Sequence, residues 1–344
     1  MATTIKDIAS RAGVSHTTVS RALHGHPAIP SHTVERIRKI ADEMGYEPNR
    51  AARGLKTMRT ATLGVIVRRI DDPFFTEVLQ GIEDCLHGQG YSLILAASHR
   101  DAERERAITR VMSAHRVEGV ILCFTQVSDE HRRRLERFRV RTVLINNQAT
   151  DSSANAVYHD DAYGSHEVTC HLIGQGHTRI AYLGNAGAGV TTKKRLDGFM
   201  EAMREAGLPV EPEYIVEGPN GRPQGGVAGI DSLLRLNERP TAVVCYNDMM
   251  ALGALQHLQR NGLSVPGDMS VTGFDNIELA PYTVPPLTTF NQPKYQLGFL
   301  AAQMMVNLLK EEETSQHMMG SSRLVLRGEL IERESTSPPN SQLR

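Results

Sequence analysis

Along residues 1–46 the apolar positions recur at helical spacing, and no stretch alternates with period two. Ile5, Ile8, Ala9 and Ala12 share one face, and Val19, Ala22 and Leu23 share a second. Val34, Ile37, Ile40, Ala41 and Met44 share a third. The pattern predicts three short helices, the second over His16–Leu23 and the third from Thr33 to Met44. Local signals agree. Thr4 with Asp7 three residues on is a capping-box start. Gly13 can take the left-handed conformation that closes a helix, and Ser15 is a good N-cap.

From Leu63 the texture changes to alternating β and α segments. Strands are predicted at Leu63–Val67, Tyr91–Ala97, Val117–Phe124, Thr142–Asn147, Ala156–Asp160, Arg179–Gly184, Tyr214–Glu217, Ala242–Tyr246, Met269–Phe274 and Leu324–Ile331. Helical patterns run over Phe75–His87, Glu103–His115, Ala162–Ile173, Lys193–Ala206 and Met249–Gln259. Unbroken apolar runs such as Val120 to Cys123 suit strands covered on both faces. Such alternation implies parallel, doubly wound sheets. Sustained over about 270 residues, it exceeds one comfortable core, so two lobes with a cleft between them are expected.

Charge divides the chain as the pattern does. Residues 1–59 carry ten Lys/Arg and five Asp/Glu, net +5, against 28 and 34, net −6, in the remainder. A basic head on an acidic body suits contact of the head alone with a polyanion. The first twelve residues are mixed and charged, and no apolar run reaches the 18 residues of a membrane span. No membrane association and a cytoplasmic location are expected. Cys85, Cys123, Cys170 and Cys245 are far apart and form no C-x-x-C pair, so free thiols are expected rather than a metal or disulfide frame.

Two short helices joined at a tight glycine turn form a helix-turn-helix. A helix fits the major groove of B-DNA, and its first turn reaches base edges. His16, Thr17, Ser20 and Arg21 point away from the predicted core, with Ser15 and Thr18 beside them. Arg21 could fork onto a guanine. A helical hairpin used only for packing is the alternative, which the charge split disfavours. Pro48 to Lys56 follows as a basic linker, too short and too weakened by Gly54 to be a stable helix alone. In it Asn49, Ala52 and Lys56 flank Leu55, an apolar residue among bases. Such a side chain either wedges into a minor-groove step or packs on a flexible tether.

These segments resemble the lactose/galactose-repressor family. The resemblance rests on Thr4 to Ala9, Gly13 to Ser15, Thr18 to Arg21, Gly45-Tyr46 and the spaced Pro48-Asn49, Ala52-Arg53 and Leu55. It continues through Asp72-Pro73-Phe74-Phe75, His171 to Ile173, Gly176-His177, Ile180-Ala181, Arg195, Gly198-Phe199, Asn247-Asp248, Gly273 to Asp275 and Pro286 to Thr289. The resemblance implies a small all-α helix-turn-helix head and an α/β periplasmic-binding-protein-like body of two doubly wound lobes. It also implies base contacts by His16, Thr17 and Arg21, and a hinge that folds on operator DNA with Leu55 from two subunits opening a central step. A homodimer on a near-palindromic double-stranded operator follows. No leucine heptad succeeds Ile331, so no tetramer is expected. The boundaries expected are 1–47 for the head, 48–60 for the hinge, 61–335 for the effector-binding and dimerisation body, and 336–344 for a frayed tail.

Ligands of doubly wound sheets sit beyond the carboxyl ends of the strands. There the sequence places Asp72 and Phe74, Asp161, Asn247 and Asp275, with Arg195 near the start of a helix. An aromatic ring, carboxylates, an amide and a guanidinium converging on a cleft suit a polyhydroxylated small molecule. Asp161 or Asp248 could instead cap the following helix. Asp72 and Asp161 stand where the family commonly has Asn. These added carboxylates favour a neutral sugar, polyol or nucleoside unless Arg195, Lys193 or Lys194 offsets them. The Gly184 to Gly189 run lacks the Gly-Lys-Ser/Thr ending of a phosphate loop. His171 and His177 suit a turn better than a metal site. His131 to Arg134 suits a solvated helix face. No nucleophile, base and orienting acid form a catalytic set. The expectation is a regulator, not an enzyme, with no cofactor and no metal. The alternatives are a solute-binding receptor module without DNA function, an enzyme acting on the cleft ligand, or a regulator answering to a purine or nucleoside.

Overall fold

The computed structural model describes residues 3–23, 25–46, 59–99, 101–123, 140–146, 154–314 and 321–340. The hinge candidates Asn49, Ala52, Leu55 and Lys56 and the basic run His131 to Arg134 lie outside the described residues. The chain divides into two compact units, Met1–Thr60 and Ala61–Arg344.

The head holds helices α1 (Ile5–Ala12), α2 (His16–Leu23) and α3 (Ser31–Glu43). Its core is Ile8, Val19, Ala22, Ile37 and Ala41, all at most 4% exposed. The capping box forms: Thr4 N–H donates to the Asp7 carboxylate at 2.8 Å, and Asp7 N–H donates to Thr4 Oγ1. Hydrogen bonds donated by the Thr4 hydroxyl and by its N–H hold the Asp7 carboxyl below its ordinary range. Gly13, at φ 64°, ends α1 in the left-handed region and lets Val14 N–H reach the Ala9 carbonyl. Thr4→Ala should lower the stability of the head by about 1 kcal/mol, seen as an earlier melting phase by circular dichroism.

The body begins with β1 (Thr62–Val67), α4 (Phe74–Gly88), β2 (Ser92–Ala97), α5 (Ala102–Ala114), β3 (Gly119–Cys123), β4 (Arg141–Ile145) and β5 (Asn155–His159). It continues with α6 (Asp161–Gly174), β6 (Ile180–Asn185), α7 (Val190–Glu205), β7 (Ile215–Gly218), α8 (Pro223–Leu234), β8 (Ala242–Cys245), α9 (Asp248–Arg260), β9 (Ser270–Asp275) and β10 (Thr288–Asn291). Last come α10 (Lys294–Thr314), β11 (Arg323–Leu326) and β12 (Glu329–Ile331). Among the described residues two six-stranded sheets result, in the orders β11-β5-β4-β3-β1-β2 and β12-β10-β9-β8-β6-β7. Every pairing is parallel except β12 with β10. Each sheet is the centre of one lobe.

Among the described residues the chain crosses between lobes three times, at Asp160, at Gln292–Pro293 and at Arg327–Gly328. The single strand expected at Leu324–Ile331 is therefore two. Its first half extends one sheet and its second half the other, because the backbone passes from lobe to lobe between them.

Fraying of residues 336–344 is corrected for its first part. Thr336 is 9% exposed and meets His171 Nε2 at 3.0 Å, and the Ser337 carbonyl meets His177 Nε2 at 2.8 Å. Ser335 before them is buried and donates to the Val271 carbonyl. The two histidines thus seat the C-terminal segment on the second lobe. Burial lowers the pKa of both and so favours their neutral form. Cys85, Cys123 and Cys245 are buried free thiols, and Cys170 is half-buried and free.

Candidate effector cleft and DNA-reading helix

A cavity of about 350 Å³ opens between the lobes, at the small end of the roughly 300–1,000 Å³ of small-molecule sites. Its lining comes from strand carboxyl ends in both sheets. Arg68, Arg69, Asp72 and Phe74 follow β1, Ser98 follows β2, and Asn146 follows β4. From the second lobe Asn220 and Arg222 follow β7, Tyr246 and Asn247 follow β8 and Asp275 ends β9, while Gln292 lies in the crossover after β10.

Five residues expected from sequence line the cavity: Asp72, Phe74, Arg195, Asn247 and Asp275. Asp161 does not. As the first residue of α6 it turns inward and lies 2% exposed. There it accepts from Arg195 Nε at 2.7 Å. It stands behind the guanidinium as its counter-ion. Arg195 Nη1 also donates to the Tyr246 carbonyl, and Nη2 lies 3.7 Å from Asp275 Oδ1. The guanidinium carbon sits 3.8 Å from the Phe274 ring centre and 4.6 Å from that of Tyr246, so both rings attract the charge.

Burial opposes both charges of this pair, but each supports the other. Burial raises the Asp161 pKa, yet Arg195 and His159 bring it below the ordinary range. Burial likewise lowers that of Arg195, and Asp161 lifts it above the ordinary value. The acid expected to repel an anionic ligand is thus offset by Arg195, the exception allowed for in the sequence.

Asp72 and Asp275 behave differently. Burial pushes both carboxyls upward. At Asp275 the nearby Asp248 and Asp72 add to the rise, and Arg195 and Lys294 oppose it. Asp275 Oδ1 accepts from Gln292 Nε2 at 2.6 Å. Asp72 Oδ1 accepts from Phe74 N–H at 3.2 Å, opening α4. Phe74 meets Phe75 edge to face at 5.1 Å, giving the first lobe an aromatic wall.

Asn247, not Asp248, is the cap of α9. Its Oδ1 accepts from Met250 N–H at 2.9 Å, and its Nδ2 donates to the Gly221 carbonyl at 3.1 Å. Asp248 is fully buried and receives Ile277 N–H at 2.8 Å and the Thr289 hydroxyl. Burial pushes its carboxyl up to about 6.

Sequence reasoning missed Asn146, Asn220, Arg222, Tyr246 and Gln292. Amides, an arginine and a tyrosine after strands carry little motif signal; the strand pattern locates the ends that carry Asn146, Asn220, Arg222 and Tyr246, but not β10 before Gln292. Two of them matter most. Asn146 Oδ1 and Gln292 Oε1 are buried and have no hydrogen-bond partner among the described residues. One belongs to the first lobe and the other to a crossover, and both line the cavity. Buried acceptors without partners are costly unless something donates to them. Across the mouth Arg222 Nη2 reaches Asp71 Oδ2 at 3.0 Å, and Arg69 holds the same carboxylate at 2.7 Å. Those two arginines hold the Asp71 carboxyl below its ordinary range.

In the head, His16, Thr17 and Arg21 are exposed on α2, opposite buried Val19 and Ala22. Ser15 Oγ accepts from Thr18 N–H at 3.1 Å and meets Thr18 Oγ1 at 2.9 Å, so these two residues build the helix start. Ser20 is half-buried. Among the described residues no group of three or more His, Cys, Asp or Glu is placed to hold a metal ion, and no helix is long and apolar enough to cross a membrane.

Comparison with known proteins matches residues 4–49 to the model of bacterial regulatory proteins of the lacI family, and residues 169–336 to the periplasmic binding protein-like domain. The HTH-type transcriptional repressor PurR of Vibrio parahaemolyticus is 38% identical over 311 residues, covering 90% of this chain and 93% of the relative. The lac repressor dimer bound to operator and the anti-inducer ONPF superposes with a TM-score of 0.85 at 25% identity, covering 98% of this chain and 100% of that one. The complex of the transcriptional regulator CelR with cellobiose gives 0.74 at 28% identity, covering 97% and 99%. Helix-turn-helix head, two-lobed body, sequence and superposition agree, and this chain belongs to the lacI family of bacterial DNA-binding transcriptional repressors.

Proposed function

We propose that this protein, as a cytoplasmic homodimer, represses transcription from a near-palindromic operator, and that a small polar effector in the interlobe cleft changes its operator affinity. The observation that carries the effector reading is the pair of orphan amide oxygens, Asn146 Oδ1 and Gln292 Oε1, facing one cavity from different parts of the body. A ligand rich in hydroxyl or N–H donors satisfies both, while Arg195 and Asp275 hold its other polar groups. A sugar or sugar-like metabolite fits best. The edge-to-face wall of Phe74 and Phe75 favours a second reading, a nucleobase or nucleoside stacked on an aromatic face. Occupancy acts on DNA affinity only through the ligand's different affinity for the two states of the body.

The DNA set proposed is His16, Thr17, Ser20 and Arg21 on α2, with Ser15 and Thr18 fixing the helix start and Asn49, Ala52, Leu55 and Lys56 supplied by the hinge. Dimerisation is supported by an apolar face in the second lobe: Tyr282 and Val284 are each 78% exposed and Leu279 is half exposed.

A thermal-shift screen of sugars, polyols and nucleosides on the full-length protein tests the effector reading. A ligand at a hundredfold excess over its Kd adds about 2.7 kcal/mol, or roughly 5–10 °C for a unit of this size. Asp275→Ala should erase that shift while the unliganded variant still unfolds cooperatively. An undiminished shift in the variant would place the ligand elsewhere.

A further inference from the structure

Among the described residues the effector reading leaves one buried cation unused. Lys294, the first residue of α10, is 2% exposed. Its ammonium donates to the Asp275 carbonyl at 2.7 Å and to the Asn276 carbonyl at 2.9 Å, and lies 3.2 Å from Glu77 Oε1. Three donors thus meet three acceptors. Two belong to the second lobe and the third to α4 of the first, one helical turn beyond Phe74.

The two carbonyls sit at an unusual turn. Asp275 has φ 117° and Asn276 φ 51°, so two consecutive non-glycine residues occupy the left-handed half of backbone space. Such backbone is strained and persists only where its surroundings fix it. That turn aims the Asp275 carboxyl at the cavity. Other groups hold the segment from the side: Thr289 Oγ1 accepts Asn276 N–H, Asp248 accepts Ile277 N–H, and Arg333 donates to Asn276 Oδ1. Lys294 is the member of this set that also reaches the opposite lobe.

We infer that Lys294 is a positioning residue for the effector cleft: it clamps the Asp275–Asn276 turn and, through Glu77, ties that turn to the helix carrying Phe74. The two walls of the cavity are then mechanically joined, and displacement of α4 pulls on the carboxylate of the other lobe. A charge buried this deeply keeps its place only when all its donors are met. Loss of the Glu77 carboxylate therefore loosens the turn from a distance. This inference rests on the cleft being the effector site, but its test needs no ligand.

Hydrogen exchange followed by mass spectrometry on the full-length protein decides it. Glu77 is about half exposed on α4, so Glu77→Gln leaves the fold intact. In that variant the amides of Asn276 and Ile277 should exchange about tenfold faster, while those of β8 and β6 keep their wild-type rates. Lys294→Gln should accelerate the same amides further. Unchanged exchange at residues 276–277 in Glu77→Gln overturns the inference, even if Lys294→Gln fails to fold. Acceleration spread evenly over the whole second sheet also overturns it, since that signals general destabilisation. Failure of every sugar, polyol and nucleoside in the thermal-shift screen would count against the effector reading and leave this measurement standing.

Discussion

Arg195→Leu should destabilise the body by about 3–5 kcal/mol, a fall of roughly 6–20 °C in its melting temperature. The reason is the company the arginine keeps. Asp161 lies 2.7 Å away and only 2% exposed, and Asp275 is nearby. Removing the cation leaves Asp161 charged and buried with its main partner gone. Scanning calorimetry on the full chain reads the loss, and it should shrink in the double variant carrying Asp161→Leu as well, because an apolar pair replaces an orphaned charge. The pH dependence gives an independent check. In the native protein the folded-state pKa of Asp161 is depressed. Its contribution is therefore present above the unfolded value of about 3.9 and is lost as pH falls through the folded value. In Arg195→Leu burial dominates and the folded pKa rises above the unfolded one. The sign reverses: the penalty is full near neutrality and shrinks as pH falls through the raised value. A variant that melts like the native protein at pH 7 would show that this ion pair is not structural.

Arg21→Ala should lower discrimination between the operator and a site altered at one guanine by about 1–3 kcal/mol, or roughly 5- to 150-fold. Arg21 is exposed on the face of α2 opposite Val19 and Ala22. Its truncation removes no core contact, and melting of the head should not move. The salt dependence separates base reading from phosphate contact. A lost base contact leaves the slope of log K against log salt unchanged, whereas a lost phosphate contact reduces it by about 1. Fluorescence anisotropy titrations at several salt concentrations measure both. Weakening that is uniform over all sequences, with a shallower slope, would move Arg21 from the bases to the backbone.

The two experiments probe opposite ends of one device. Arg195 is a structural member of the cleft as well as a candidate ligand group, so its variants mix loss of response with loss of stability. Asp275→Ala and Glu77→Gln are the cleaner probes of the response. Arg21 is free of such mixing, because the head closes its own small core around Ile8, Val19 and Ile37.

Much of this was legible in the residues taken in order. Helical spacing with Thr4, Gly13 and Ser15 determined the head, because caps and amphipathic faces are local properties. Period and apolar runs placed the strands of both lobes except β10, the strand ends located Asp72, Phe74, Asn247 and Asp275, and the helix pattern located Arg195. Two helices were not legible. α8 carries Gly225, Gly226 and Gly229, which weaken a helical pattern but let the backbones meet: a Cβ on Gly226 would lie 1.9 Å from the Met250 carbonyl. In α10 residues face burial on several sides, including Leu297, Ala301, Ala302, Met304, Met305 and Val306, which blurs the amphipathic period.

What the three-dimensional arrangement alone decided is which groups meet. Asp161 is a counter-ion rather than a lining residue because Arg195, 34 positions later, folds onto it. Arg323–Leu326 and Glu329–Ile331 serve different sheets because the chain changes lobes between them. Periodicity records whether a position is buried, and a cap records its own turn. Neither records the partner across a cleft, since that depends on how two separately folded sheets are joined.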